Sequence, residues 1–397
     1  MIHGSLGNRE QRRPLAVRNN RRLVFYAVLL ALLAILPFVA GAQGLGFSLN
    51  GVRFTSRLVP GVPLPVGLDV QFDIPVSQSG FFWSLRLAGG YEDRIILRND
   101  TSGASIQEPA WNKAVQDHWF FWPNAEVDTG LVYRIGFATK KQEKSKVDVF
   151  ALVRSRYEQN SKLLAAVLFP DAQSLMAVSG IAGIGFDTVF LSSRRVKTGA
   201  AGELSVEYAP AFLDFAAGTD FYRANAKLEA YLPLFSTGGD NLSAFSVYAA
   251  GYLTADYAGG TNIPLYVLTS FGGRELRRGI GDSIRGYQPW GYEAATKAEA
   301  SLEIRAVGPG LFKSEAIRPM AYLFGDAGHY AGLSRTTLAQ DHGMLASAGV
   351  GAALDLFDFA FLGVRAGCKF PIDDPLDAVY FPGGEKFFWD IAFLLHF

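Results

Sequence analysis

The chain of 397 residues has one cysteine, Cys368, and no surplus of either charge: 37 basic residues balance 37 acidic ones. A lone cysteine excludes a disulfide within the chain. Balanced charge argues against a nucleic-acid partner, which would leave a basic excess. Helical periodicity is scarce beyond residue 40, and no second apolar run is long enough to cross a bilayer as a helix. His3, His118, His329, His342 and His396 are scattered, without metal-ligand spacing. Gly281-Asp282-Ser283-Ile284-Arg285 misses the nucleophile-elbow pattern at its last position, and no nucleophile is paired with a base. No catalytic residue, metal or cofactor is therefore expected.

What is present is glycine, at 43 residues, and aromatics, at 13%. That mix suits an all-β protein with many turns and rims of aromatic residues. Arg9, Arg12, Arg13, Arg18, Arg21 and Arg22 precede an apolar stretch from Leu23 to Val39. Ala40-Gly41-Ala42 then offers small residues for cleavage before Gln43. The expectation is a cleaved signal peptide over 1–42 and a single domain over 43–397. No cysteine stands at the cleavage site, so a lipoprotein is not expected.

Along 43–397 the recurring unit is a segment of about ten residues with period-2 alternation, bounded by Gly, Pro, Asn, Asp or Ser. Between Glu126 and Phe137, Val127, Thr129, Leu131, Tyr133, Ile135 and Phe137 share one face, and Glu126, Asp128, Gly130 and Arg134 the other. Glu203, Ser205 and Glu207 alternate with Leu204, Val206 and Tyr208. Fourteen such segments lie near 46–56, 65–74, 81–90, 125–137, 146–158, 178–191, 199–208, 220–234, 243–258, 296–307, 318–328, 344–356, 360–370 and 387–397. Ile95–Asn99, His118–Trp122 and Leu163–Phe169 are weaker candidates, and two of them would raise the count to sixteen.

A soluble sandwich also alternates, with its polar face in water and its apolar face on a second sheet. Segments of about ten residues, the span that crosses hydrocarbon at a tilt, and aromatics near their ends favour a transmembrane antiparallel β-barrel. The last segment places Phe387, Trp389, Ile391, Phe393, Leu395 and Phe397 on one face. It reads as a lipid-facing strand that closes the barrel against the first, since so apolar an edge left open would invite aggregation.

One stretch stands apart. A basic, glycine-rich segment beginning at Phe271 reaches Ile284-Arg285-Gly286-Tyr287, and the strand after it alternates Lys297, Glu299, Ser301, Glu303 and Arg305 with Ala298, Ala300, Leu302 and Ile304. Further on, Tyr322, Phe324 and Asp326 share a face opposite Ala321 and Leu323. If the aliphatic faces meet lipid, Glu303 and Asp326 point inward. Arg285 brings a planar fork of donors suited to carboxylates and to stacking on Phe324.

These residues resemble the BamA/TamA superfamily of outer-membrane assembly and secretion barrels (bacterial surface antigen barrels). In that family the sixth extracellular loop carries a [VI]RG[FY] motif and dips into the lumen, where its arginine meets an acidic residue and an F-x-D motif on the next two strands. The matching positions are Ile284, Arg285, Gly286 and Tyr287, then Glu303, Phe324 and Asp326. Gly185-Phe186-Asp187-Thr188 and Tyr231-Leu232-Pro233-Leu234 resemble the family's strand-start and strand-end patterns. The aromatic end of the chain, with Phe393, Leu395 and Phe397, resembles the C-terminal signal that outer-membrane proteins show to their assembly machinery. The likeness covers 178–397 by motif and the earlier part by architecture. The family also carries soluble POTRA modules before the barrel, whereas here strand-like sequence begins within a few residues of Gln43. A barrel without POTRA domains is expected.

The resemblance implies an outer-membrane protein of a diderm bacterium that inserts or translocates polypeptides without catalysis. Its implied partners are outer-membrane lipid, client outer-membrane or secreted polypeptides and periplasmic accessory proteins. A passive pore or a lipid or small-solute channel on the same scaffold is the alternative.

Overall fold

In a computed structural model, the described residues are 46–54, 66–76, 80–95, 119–139, 142–160, 173–192, 194, 196–215, 218–238, 241–270, 272, 274, 283–287, 292–314, 316–332, 342–356, 360–370 and 386–395. The expected signal peptide, residues 1–42, and Phe397 lie outside them.

Nearly everything described is antiparallel sheet. The strands are β1 (Gly46–Phe54), β2 (Val66–Pro75), β3 (Phe81–Ile95), β4 (Trp119–Thr139), β5 (Gln142–Glu158), β6 (Leu175–Asp187), β7 (Phe190–Leu191) and β8 (Lys197–Ala209). They continue with β9 (Asp220–Ser236), β10 (Ser246–Asn262), β11 (Thr296–Val307), β12 (Ile317–Ala331), β13 (His342–Leu356), β14 (Ala360–Lys369) and β15 (Phe387–Leu395). One short helix, α1 (Leu265–Thr269), lies between β10 and β11. Each long strand pairs with its sequence neighbours, and β6 pairs with β8 past the two-residue β7. β1 meets β15 at one register pair, Arg53↔Leu394. No ladder zips the first strand to the last.

Among the described residues fourteen strands are long, matching the fourteen segments of clear alternation in number. Where two of the three weaker segments are described, at Ile95 and at Trp119–Trp122, they continue neighbouring strands, while 96–99 and 118 lie outside the described residues. Ile95 ends β3 and Trp119–Trp122 begin β4, and the pair runs on as far as Ile95↔Trp119. Backbone pairing needs no side-chain alternation, so a ladder extends where the sequence pattern fades. Residues 163–169 lie outside the described set.

The sheet buries its charges and exposes its apolar side chains. On β8, Glu203, Ser205 and Glu207 are buried while Leu204, Val206 and Tyr208 are 59%, 57% and 56% exposed. β4 repeats this, with Glu126 and Asp128 buried and Leu131, Tyr133, Ile135 and Phe137 exposed. Exposed apolar area on this scale is foreign to a surface in water. Strand ends are equally unequal. Connections at one end run from two residues (140–141) to nine (237–245), and those at the other from ten (332–341) to thirty-three (263–295). Short turns at one end and long loops at the other are the pattern of outer-membrane barrels. Among the described residues no helix is long and apolar enough to cross a membrane.

The inner face is held by ion pairs of alternating sign. Arg86 on β3 lies between Asp69 on β2 (2.6 Å) and Glu126 (2.7 Å) and Asp128 (3.0 Å) on β4. Arg154 on β5 pairs with Asp128 at 2.7 Å and lies 3.5 Å from Glu207 on β8. Arg223 on β9 binds Asp256 on β10, which Lys297 on β11 approaches at 3.8 Å. The register sets Arg86 opposite Asp128, Asp128 opposite Arg154, Glu207 opposite Arg223 and Asp256 opposite Lys297. Opposite charges facing each other across strands are mutually neutralised, which is what allows them to be buried.

Candidate functional site

The connection 263–295 carries the segment singled out by sequence, and its residues 283–287 pack against β11, β12 and β13. Ile284 is fully buried beside Tyr287, Tyr292, Ala294, Tyr330 and Leu345. Gly286 has φ +92°, a left-handed conformation that favours glycine, and a Cβ there would come within 2.4 Å of the Phe388 ring. Tyr287 donates its hydroxyl to the Ala346 carbonyl (2.9 Å) and accepts from the Ala346 N–H (3.2 Å), stitching the loop to β13.

Arg285 uses its donors on a socket borne by the strands. Its Nε and Nη2 donate to the two carboxylate oxygens of Asp326 at 2.7 and 2.6 Å, a bidentate pair, and its main-chain N–H adds a third bond at 3.1 Å. Nη1 donates to Glu303 at 2.5 Å and Nη2 to the Ser301 hydroxyl at 3.0 Å. The guanidinium carbon lies 3.8 Å from the centre of the Phe324 ring, within reach of a cation–π contact. β11 and β12 pair so that Ser301 faces Asp326 and Glu303 faces Phe324, which collects the four socket residues at one place on the inner face. Ser301 also donates to Asp326 (2.7 Å), and Arg305 donates to the second oxygen of Glu303 (2.6 Å). Burial opposes the charge on Arg285, but hydrogen bonds and charge from Asp326, and then Glu303, outweigh it and raise its pKa further above its ordinary value.

Four participants carried no sequence expectation in this role: Ser301, Arg305, Tyr292 and Phe388. Phe388 sits on β15 between the outward Phe387 and Trp389, and its ring lies 6.2 Å from that of Phe324. Alternation along the last strand was the available signal, because it turns Phe388 inward. Phe393 and Leu395 lie on β15, paired with Leu362 and Ala360 on β14. Among the described residues no cluster of His, Cys, Asp or Glu could hold a metal ion.

No family model matches the chain, and no curated protein does. Solved structures do. CdiB from Escherichia coli superposes with a TM-score of 0.51 at 13% identity, over 84% of this chain and 53% of that one. BamA from Haemophilus ducreyi lacking POTRA domains 1–3 gives 0.46 at 12%, over 88% of this chain and 64% of that one. The chain thus spans between about half and two thirds of the length of these proteins. The likeness to CdiB carries the fold alone, that of a β-barrel protein.

Proposed function

We propose that this chain is a transmembrane β-barrel of an outer membrane, of the class that inserts or translocates polypeptides without catalysis. In this reading connection 263–295 is a movable plug in the lumen, and the barrel closes across the single-pair contact of β1 with β15, its weakest seam. The observation that carries the proposal is the Arg285 socket. A passive pore has no need to bury a loop arginine against two carboxylates and an aromatic ring at the cost of its own bore. A plug that must be both firmly seated and releasable does. Asp326 is fully buried, and Arg285 is its cation, so leaving the socket strands a charge. The seat is therefore stable until another ligand or strand compensates for its loss.

Depletion of the protein in its host, followed by a profile of outer-membrane proteins, tests the proposal. Accumulation of misassembled or untranslocated clients is expected. A normal profile, together with a wide and stable single-channel conductance from the purified protein, would replace this reading with the pore.

A further inference from the structure

Four strand-borne cations hydrogen-bond the main chain of the same connection 263–295 in a manner unlike the Arg285 socket, and a fifth, Arg156 on β5, lies 4.3 Å from the centre of the Tyr266 ring. As the chain runs from Val267 to Arg274, its main-chain carbonyls meet Lys297 on β11, Arg223 on β9, and then Arg154 and Arg86 on β5 and β3. Lys297 donates to the carbonyls of Val267 (2.7 Å) and Leu268 (3.1 Å), the open C-terminal end of α1, and to Ala294 (3.3 Å). Arg223 reaches the Ser270 carbonyl at 3.4 Å. Arg86 (3.3 Å) and Arg154 both donate to the Arg274 carbonyl, while Glu203 on β8 accepts from the Arg274 N–H at 3.3 Å. Every hydrogen bond these cations give to the connection ends on a carbonyl, a group that all residues share. Each of the four also keeps a carboxylate on a neighbouring strand: Asp69, Asp128 or Asp256. Departure of the loop leaves each of them beside a carboxylate, Arg223 and Lys297 sharing Asp256. Among the described residues, Nη1 of Arg154, 3.5 Å from Glu207, and Nη1 of Arg223 have no hydrogen-bond partner although both side chains are buried.

We infer that this row of cations is a binding site for polypeptide main chain, with the protein's own segment 267–274 as resident ligand and a flexible client polypeptide as the ligand that replaces it. The inference rests on the translocation reading for the identity of the client. Charge balance within the strands makes the exchange reversible, and recognition through carbonyls makes it indifferent to client sequence. The Arg285 socket holds the other half of the connection through a separate set of side chains.

The test is hydrogen exchange on the full chain in lipid vesicles, read at 265–274 and at 283–287. Lys297→Met, which leaves Asp256 its Arg223 partner, is expected to raise exchange at 265–269 by about tenfold or more, the effect of losing bonds to a charged donor, while 283–287 stays protected. Lys297→Gln keeps donors and is expected to recover part of the protection. In the Arg285→Ala protein an uncharged Gly/Ser polypeptide is expected to raise exchange at 265–274, and polyethylene glycol of matched length, which has no carbonyls, is not. No response to the polypeptide, an equal response to polyethylene glycol, or deprotection of the whole connection by Arg285→Ala alone would overturn the inference. Should Lys297→Met fail to fold, the polypeptide arm decides. Exchange driven by the polypeptide in a protein whose depletion leaves clients normal would refute the cellular function and leave the site standing.

Discussion

The inner face from β2 to β11 and the inner face from β11 to β13 both bury carboxylates, but they neutralise them differently. On the first, strands supply both signs, so Asp128 has Arg86 and Arg154, and Asp256 has Arg223 and Lys297. On the second, Asp326 on β12 takes its charge partner from outside the sheet, in Arg285. The first region keeps these pairs without the connection 263–295, which it meets through main-chain carbonyls and, at the buried Glu203, through the Arg274 side chain at 3.6 Å. The second is incomplete without it. Two regions built from the same residue types therefore differ in what loop departure leaves behind: on one, strand-to-strand ion pairs that persist while Glu203 loses a distant partner in Arg274, and on the other, a fully buried Asp326 stripped of its bidentate arginine.

The comparison breaks most sharply at Asp326. Asp326→Ala removes both bidentate bonds and leaves Arg285 only Glu303, which it shares with Arg305, and is expected to destabilise the seated loop by about 3 kcal/mol, the loss of hydrogen bonds between charged groups. Protease nicking within 283–287 and a lower unfolding midpoint are the readouts; unchanged resistance would mean that the two regions do not differ. The double variant Arg285→Met/Asp326→Leu removes both charges at once, and is expected to cost less than either truncation.

Gly286→Ala probes the same seat by sterics alone. The added methyl meets the Phe388 ring and the backbone is left-handed, so a loss of about 1–3 kcal/mol is expected. Pairing it with Phe388→Ala should recover the steric part, measured by hydrogen exchange at 283–287; no recovery would place the strain in the backbone. Tyr287→Phe deletes one hydroxyl that bonds the Ala346 carbonyl, and about 0.5–1.5 kcal/mol is expected, read at the amides of β13. Last, Arg365 and Asp390 pair at 2.6 Å between β14 and β15 with both side chains about one quarter exposed. Arg365→Ala is expected to change stability by about 0–1 kcal/mol, because water already screens the pair. A larger loss there would show that this edge of the sheet is drier than the socket comparison assumes.

Much of this was legible in the residues. Alternation located the long strands and told which side chains turn inward, because a period of two leaves no other choice of face. It placed Glu303 and Asp326 on the inner face, and the structure brings both to Arg285. It did not reveal that β3 and β4 run on to Ile95 and Trp119, since cross-strand hydrogen bonds outlast the side-chain pattern. Nor did it reveal the contact of Lys297, Arg223, Arg154 and Arg86 with the loop, because a carbonyl carries no sequence signature.

By itself, then, the sequence determined an inside-out sheet: which residues alternate, which face is charged, and which loop carries Ile284-Arg285-Gly286-Tyr287 ahead of two carboxylate-bearing strands. Tertiary structure alone decided the register that sets Ser301 against Asp326, the pairing of Arg53 with Leu394 between β1 and β15, and the placement of Val267, Leu268, Ser270 and Arg274 against the strand cations. The reason is physical. Face is a local property of the pleated strand, whereas register and main-chain contact depend on how all the strands are offset from one another.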